Sequence, residues 1–420
     1  MSAMDAIGKE DVLRIVRDQD RWRGTECLNM IASENVMSPL ATKAYVSDFM
    51  HRYAEGSPFK RFYQGARNID ELESSAIELA KQVFGATKAD LRPISGGVAN
   101  AAAFSGLTSH GDLLLSPGVA GGSHISHEPF GVAGVLGLRV EHAAFDEQEY
   151  NIDVDESISK IRRLKPNLVT LGGSVILFPH PVREFSSACA EVGAKLLYDG
   201  AHVLGLIAGK QFQDPFREGA DIMTASTHKT FPGPQGGIIL GNTEDEAWKK
   251  VKFRIFPGLV SNHHLHRIPA MLIALLEAQR FGADYARQTV KNARALGEAL
   301  EELGFKVLAS DKGYTKSHQI LVDVRENGGG KYVAGALEEA NIILNKNILA
   351  WDDVNNPDDP SGLRIGTQEL TRMGMKESEM KHVAELMRRV VMDKADRVAV
   401  REEVIGFRRD FQQVHYCFGE

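Results

Sequence analysis

The sequence predicts an α/β protein built on a mostly parallel sheet, with a second, smaller α/β unit after it. Two observations carry this. Short apolar runs alternate with helix-like stretches up to residue 270, and a long segment rich in Ala, Leu, Glu and Arg, 271–303, then leads into a further set of strands and helices. In chain order, residues 5–24 read as a polar amphipathic helix able to pack on a partner. The runs Leu113–Leu115, Leu138–Val140, Leu168–Leu171, Leu196–Tyr198 and Ile238–Leu240 read as sheet strands. Residues 271–303 keep helical spacing and bridge to the smaller unit. There, Phe305–Leu308, His318–Val324, Ile342–Leu344 and Leu363–Ile365 read as strands, and 331–340, 376–395 and 398–412 as helices. This divides the chain into an N-terminal helical segment (1–44), a large domain (45–275) and a small C-terminal domain (276–420).

Composition narrows the function classes. A 420-residue chain that is 43% hydrophobic can bury substantial cores. Its net charge of −7, with acids and bases interleaved, argues against a nucleic-acid face, which needs a basic patch. No apolar run approaches the roughly 20 residues of a membrane helix. The N-terminus lacks the charged and apolar blocks of a signal peptide, so a cytoplasmic location is expected. Cys27, Cys189 and Cys417 are odd in number and widely spaced, which suits neither a disulfide framework nor a metal cluster. The histidines 263, 264 and 266 match no zinc spacing and read as part of a subunit-contact loop.

Chemistry concentrates around Lys229, in the run TASTHKTFPGPQGG at 224–237. A lysine among small hydroxyl residues, followed by a Pro/Gly loop, suits an amine that forms a Schiff base with pyridoxal phosphate. Thirty residues upstream, an apolar run ends at Asp199, with His202 three residues on. An acid at the carboxyl end of a buried strand suits the pyridinium nitrogen of that cofactor, and a strand-end turn former is the plain structural alternative. His202 reads equally as a donor to the cofactor's phenolic oxygen or as a satisfied buried histidine. Ser95, Gly96 and Gly97 precede an alanine-rich helix whose free N–H groups could cradle the phosphate. In the segment 121–127, His124 and His127 offer flat rings for stacking, or are ordinary packing histidines.

The segments LNMIASEN (28–35), HRYAEG (51–56), KRFYQG (60–65), those around Asp199 and Lys229, NKN (345–347) and SGLRIGT (361–367) together resemble the serine hydroxymethyltransferase family. The resemblance implies the aspartate-aminotransferase-like fold (PLP-dependent transferase fold type I) with a seven-stranded sheet. It implies reversible transfer of a hydroxymethyl group from serine to a reduced pterin, leaving glycine. It also implies that Lys229 carries the cofactor, Asp199 binds its ring nitrogen and His127 stacks on the ring. Ser174 lies near the cofactor, and Ser226 and His228 line it. Arg364, assisted by Ser33, clamps the substrate carboxylate, a task suited to a planar guanidinium. Tyr53, Glu55 and Tyr63 are lent by one subunit of a homodimer to its neighbour, with Glu55 the proton-transfer residue. Asn345 and Asn347 bind the pterin.

Several positions depart from the common bacterial and eukaryotic pattern. Gln235 stands for an arginine, Phe62 for a tyrosine and Gly97 for a serine, and 256–266 lacks a glycine pair through which the neighbour approaches the phosphate. Ser261, Asn262 or a nearby histidine could compensate. These changes, with FPHPV (178–182) and GPQGG (233–237), are similar to the archaeal branch, whose members can use tetrahydromethanopterin in place of tetrahydrofolate. A pterin-independent aldolase or transaldolase on the same cofactor is the competing activity.

Overall fold

The computed structural model describes residues 7–354 and 356–419. Asp5 and Ala6, within the helix expected over 5–24, lie outside the described residues; the helix (α1) spans Lys9–Arg21.

The central sheet has seven strands: β1 (Lys88–Asp90), β2 (Leu113–Ser116), β3 (Arg139–His142), β4 (Leu168–Gly172), β5 (Lys195–Asp199), β6 (Ile222–Ser226) and β7 (Gly237–Gly241). Their spatial order is β1-β7-β6-β5-β4-β2-β3. Only β7 runs antiparallel to its neighbours, so the sheet is mostly parallel. The sequence pattern missed β1 and β6 for a physical reason. β1 (Lys-Ala-Asp) has no apolar run, and β6 gives up apolar residues at its carboxyl end, where Thr224 and Ser226 face polar neighbours. Connections change direction between β2 and β4, and such a switch point opens a crevice at the carboxyl ends of the strands. Gly172, at the end of β4, has φ +81°, and a Cβ there would lie 2.1 Å from the Asp199 carbonyl oxygen. Only glycine lets the two strand ends meet this closely.

Helix α2 (Gly96–Leu107) enters at this edge, with the Ser95 hydroxyl accepting the Val98 N–H at 3.1 Å. Helix α3 (Arg267–Glu302) is 36 residues long, or about 54 Å. Its residues up to Ala286 pack into the core around the central sheet, and those from Ala293 into a second core. That second core covers a four-stranded antiparallel sheet: β8 (Lys306–Val307), β9 (Gln319–Asp323), β10 (Asn345–Asn347) and β11 (Gly362–Gly366), in the order β8-β9-β11-β10. Asn345 and Asn347 thus sit on a strand, and the register sets Asn345 opposite Arg364. The short strand Leu28–Asn29 pairs in parallel with Ile342–Ile343, which carries the ASEN segment to this sheet.

Candidate active site

Three strand ends and two loops meet above β4, β5 and β6. Asp199, the last residue of β5, is 2% exposed and accepts three hydrogen bonds: Asn100 Nδ2 at 2.9 Å and His127 Nε2 at 3.2 Å on Oδ2, and the Ala201 N–H at 3.0 Å on Oδ1. Burial pushes its carboxyl pKa up, but the hydrogen bond and charge of His127, with His124 and Asn100, outweigh burial and hold it well below the usual carboxylate range. The group stays anionic. Asn100, one turn into α2, is itself pinned by Thr224 Oγ1 at 2.5 Å and reaches Ser126 Oγ at 2.9 Å.

Lys229 follows β6 and is 9% exposed. Burial pulls its ammonium down from 10.5 to about 8, with Asp199 opposing and Arg364 adding to the fall. Asn35 Nδ2 holds the Lys229 carbonyl at 2.7 Å and the Tyr285 hydroxyl at 2.8 Å, tying the ASEN segment to the lysine loop. His228 Nδ1 accepts the Gly236 N–H at 3.3 Å; burial, then the Lys229 charge, takes its pKa from 6.5 to about 4.

Arg364, on β11, donates from Nη1 to the Ser174 carbonyl at 2.9 Å and from Nε to Asn345 Oδ1 at 3.4 Å. Among the described residues it has no carboxylate partner, and burial lowers its pKa from 12.5 to about 10. A half-buried guanidinium without a protein anion is prepared to receive one from a ligand.

Gly96 lies against β6: a Cβ at that position would meet Ser226 Oγ at 2.5 Å. Gly97 is different, since an added Cβ there would find only Ser95 Oγ, at 3.8 Å. A side chain at 96 would therefore displace the Ser226 hydroxyl, and one at 97 would not. With the Val98 and Ala99 N–H groups taken by Ser95, those of Gly96 and Gly97 remain for an anion.

The two histidines expected near the ring have different surroundings. His127 is 0% exposed; besides Asp199, its Nδ1 meets Thr170 Oγ1 at 3.2 Å, and its ring packs edge-on against Phe104. Both ring nitrogens of His127 are thus engaged by protein groups, and neither face is accessible. His124 is half-buried, its Nδ1 accepts the Ser126 N–H at 3.1 Å, and burial takes its pKa from 6.5 to about 4. His202, 2% exposed, stacks on His318 with centroids 5.6 Å apart.

Other expected residues stand farther out. Ser33 lines a cavity of about 390 Å³ with Asn35, His228, Gln235 and Glu369. Tyr53 and Tyr63 pair edge-to-face at 5.7 Å and are 56% and 45% exposed. Among the described residues, no contact joins Tyr53, Glu55 or Tyr63 to Lys229, Asp199 or Arg364. Asn262, in the variant loop, brackets their segment: its Oδ1 accepts the Ala54 N–H at 3.2 Å and its Nδ2 donates to the Arg52 carbonyl at 3.0 Å. His263 is 1% exposed and binds Glu73 at 3.1 Å, so it is an internal strut and not a subunit contact. Arg267, also buried, donates to the carbonyls of Pro93 and Gly237 at 3.0 and 3.3 Å, bracing the Ser95–Gly97 loop. Sequence reasoning missed Asn100, Asn35, Arg267 and Gln319. For Asn100 a signal existed: a lone amide on an otherwise alanine-rich helix, within a turn of the glycine pair.

No group of His, Cys, Asp and Glu side chains among the described residues could hold a metal ion, and no helix is long and apolar enough to cross a membrane. The arrangement is an amine, an anionic carboxylate, a helix start and a guanidinium that among the described residues lacks a carboxylate partner, around one crevice. The family model for serine hydroxymethyltransferase matches residues 7–387. Proteins named serine hydroxymethyltransferase from Thermococcus kodakarensis and Saccharolobus islandicus are each 54% identical to it, over 98% of this chain and 96% and 95% of theirs. One of the same name from Sulfolobus acidocaldarius is 52% identical over 99% of this chain and 96% of its own. At that identity, over nearly the whole length of both chains, this protein belongs to the serine hydroxymethyltransferase family.

Proposed function

We propose that the chain catalyses reversible transfer of the hydroxymethyl carbon of serine to a reduced pterin, leaving glycine, with pyridoxal phosphate carried on Lys229. One observation supports this most directly: a buried lysine, pulled to about 8, feels both an anionic Asp199 and an Arg364 that among the described residues has no protein counter-ion. The residues fit the cofactor. Ser95, Gly96 and Gly97 present N–H groups to its phosphate, and the close packing of Gly96 on Ser226 leaves that edge to backbone alone. When bound, pyridoxal phosphate supplies an electron-withdrawing ring that accepts negative charge from the substrate Cα as the Cα–Cβ bond breaks.

The chain's own groups do the rest. Asp199 keeps a carboxylate for the ring nitrogen, with His127 and Asn100 orienting it. His124 takes the stacking role first expected of His127. Ser174, His202, Ser226 and His228 line the ring, and Arg364 with Ser33 orients the substrate carboxylate. Glu55 moves the proton of the substrate hydroxyl; Tyr53 and Tyr63 accompany it from a second copy in a homodimer. The exposed side chains Tyr53, Phe59, Phe62 and Tyr63, 45–72% accessible, support a partner on that face. Asn345, opposite Arg364, and Asn347 meet the pterin, whose mixed edge suits amides.

The test is the visible absorption of the cofactor-loaded protein with glycine, then with tetrahydrofolate or tetrahydromethanopterin added. A strong new long-wavelength band with one pterin is expected and identifies the carrier. No pterin response, together with aldehyde-dependent turnover of glycine or threonine, would replace this reading with the aldolase.

A further inference from the structure

Gln319 opens β9 and is 0% exposed. Its Oε1 accepts the Ile176 N–H at 2.8 Å, and its Nε2 donates to the Ser174 carbonyl at 2.9 Å. These contacts fix which end of the amide is which: a flipped carboxamide would set N–H against N–H and oxygen against oxygen. The same Nε2 lies 2.9 Å from His202 Nδ1. An amide nitrogen only donates, so His202 Nδ1 must carry a lone pair. His318 Nε2 gives its one proton to the Ala32 carbonyl at 3.1 Å and stands 3.5 Å from the same Nδ1. The Ser174 carbonyl that Gln319 holds is also the acceptor for Arg364 Nη1. One side chain of the small sheet therefore meets a ring on the β5 side and the anchor of the guanidinium.

We propose that Gln319 is a positioning residue of this site, locking His202 as the neutral imidazole with its proton on Nε2 and holding the Ser174 carbonyl that orients Arg364. His202 then has one role open to it, donation from Nε2 to an acceptor oxygen, and no proton to exchange at Nδ1. Its surroundings agree: burial first, then Lys229, Arg364, His318 and His124, all disfavour a second proton. The catalytic consequence rests on the pyridoxal phosphate reading above. The tautomer does not.

The test is the ¹⁵N spectrum of histidine-labelled full-length protein, with cofactor bound, His202 being assigned by its loss in His202→Gln. The expected result is a protonated Nε2 and an unprotonated Nδ1, unchanged between pH 6 and pH 9. In Gln319→Glu the carboxylate accepts instead of donating, so His202 should gain a proton at Nδ1. In Gln319→Leu, serine KM should rise about tenfold with kcat changed far less, the loss of one buried hydrogen bond behind Arg364. A proton on Nδ1 of His202 in the unaltered protein would overturn the proposal, and that result needs no variant to fold. So would a Gln319→Glu spectrum identical to the parent's. If the tautomer is as stated but glycine leaves the cofactor's absorption unchanged, the reading of the site fails and the role of Gln319 in fixing the tautomer stands.

Discussion

At the scale of single residues, the site depends on charges held away from water. Lys229 must be a neutral amine to attack an aldehyde, and burial makes it so at about pH 8 instead of 10.5. Covalent capture of pyridoxal phosphate by the cofactor-free protein should accelerate as pH rises toward 8 and level off above it; a rate still climbing tenfold per pH unit at pH 9 would contradict the assignment. Arg364→Ala should raise serine KM by about 100-fold, roughly 3 kcal/mol for a buried charge-assisted pair, and Arg364→Lys should recover only part of it, because an ammonium lacks the planar fork. Glu369 behaves oppositely to Asp199: burial raises its carboxyl from 4.5 to about 7, with Asn29 Nδ2 on Oε1 at 2.7 Å opposing. Between those two values the folded protein keeps a proton that the unfolded chain has released, so stability falls as pH rises through that window. Glu369→Gln should therefore stabilise the protein at pH 8, by up to about 3 kcal/mol, and change little at pH 4. Urea unfolding at the two pH values measures the difference. Of these groups, Lys229, Asp199 and Arg364 were legible in the sequence because each belongs to a short motif. Gln319 and His318 were not, since their partners lie more than 100 positions away in the chain.

At the scale of elements, Glu55 leads into a hairpin whose paired strands are Gly56–Ser57 and Lys60–Arg61, and a buried ionic cluster anchors it. Arg61 donates to Asp70 at 2.7 Å and to Glu73 at 2.5 Å, His263 meets Glu73 at 3.1 Å, and Arg61 Nη1 also holds the carbonyls of Ala54 and Gly56 at 2.8 and 3.0 Å. The side chains of Arg61, Asp70 and Glu73 are 2%, 9% and 2% exposed. Removing one partner leaves buried charge without compensation, so Arg61→Met should cost about 3–5 kcal/mol, read by chemical denaturation. Substituting Tyr53, just before the hairpin but exposed, should leave unfolding nearly unchanged. The same contrast explains what the sequence could reveal about elements. Strands β2, β4, β5 and β7 advertise themselves as apolar runs. β1 and β10 are short and polar, held by register with β7 and β11, and no local pattern announces a strand whose reason is its neighbour.

At the scale of the molecule, the described chain carries a crevice complete on one side and a set of aromatic and acidic groups that do not reach it. Tyr53, Glu55 and Tyr63 project from a surface where Phe59 and Phe62 are 68% and 72% exposed, and elsewhere α1 exposes Val12, Leu13 and Val16, each about half. On the proposed reading, a second copy covers this face and a closed two-fold pair sets each copy's Glu55 beside the other's Lys229. The argument yields a complementation test. Lys229→Ala and Glu55→Gln homodimers should each be nearly inactive. Mixed by unfolding and refolding together, they should form heterodimers in which one site carries both changes and the other carries neither. If Glu55 acts across the interface, activity should return to about one quarter of the parent's, because half the dimers are mixed and each has one intact site. If Glu55 serves its own chain's lysine, both sites of every heterodimer are damaged and no activity returns. Sedimentation of the mixture shows that dimers have formed, so an inactive mixture of intact dimers would place Glu55 in its own subunit's site.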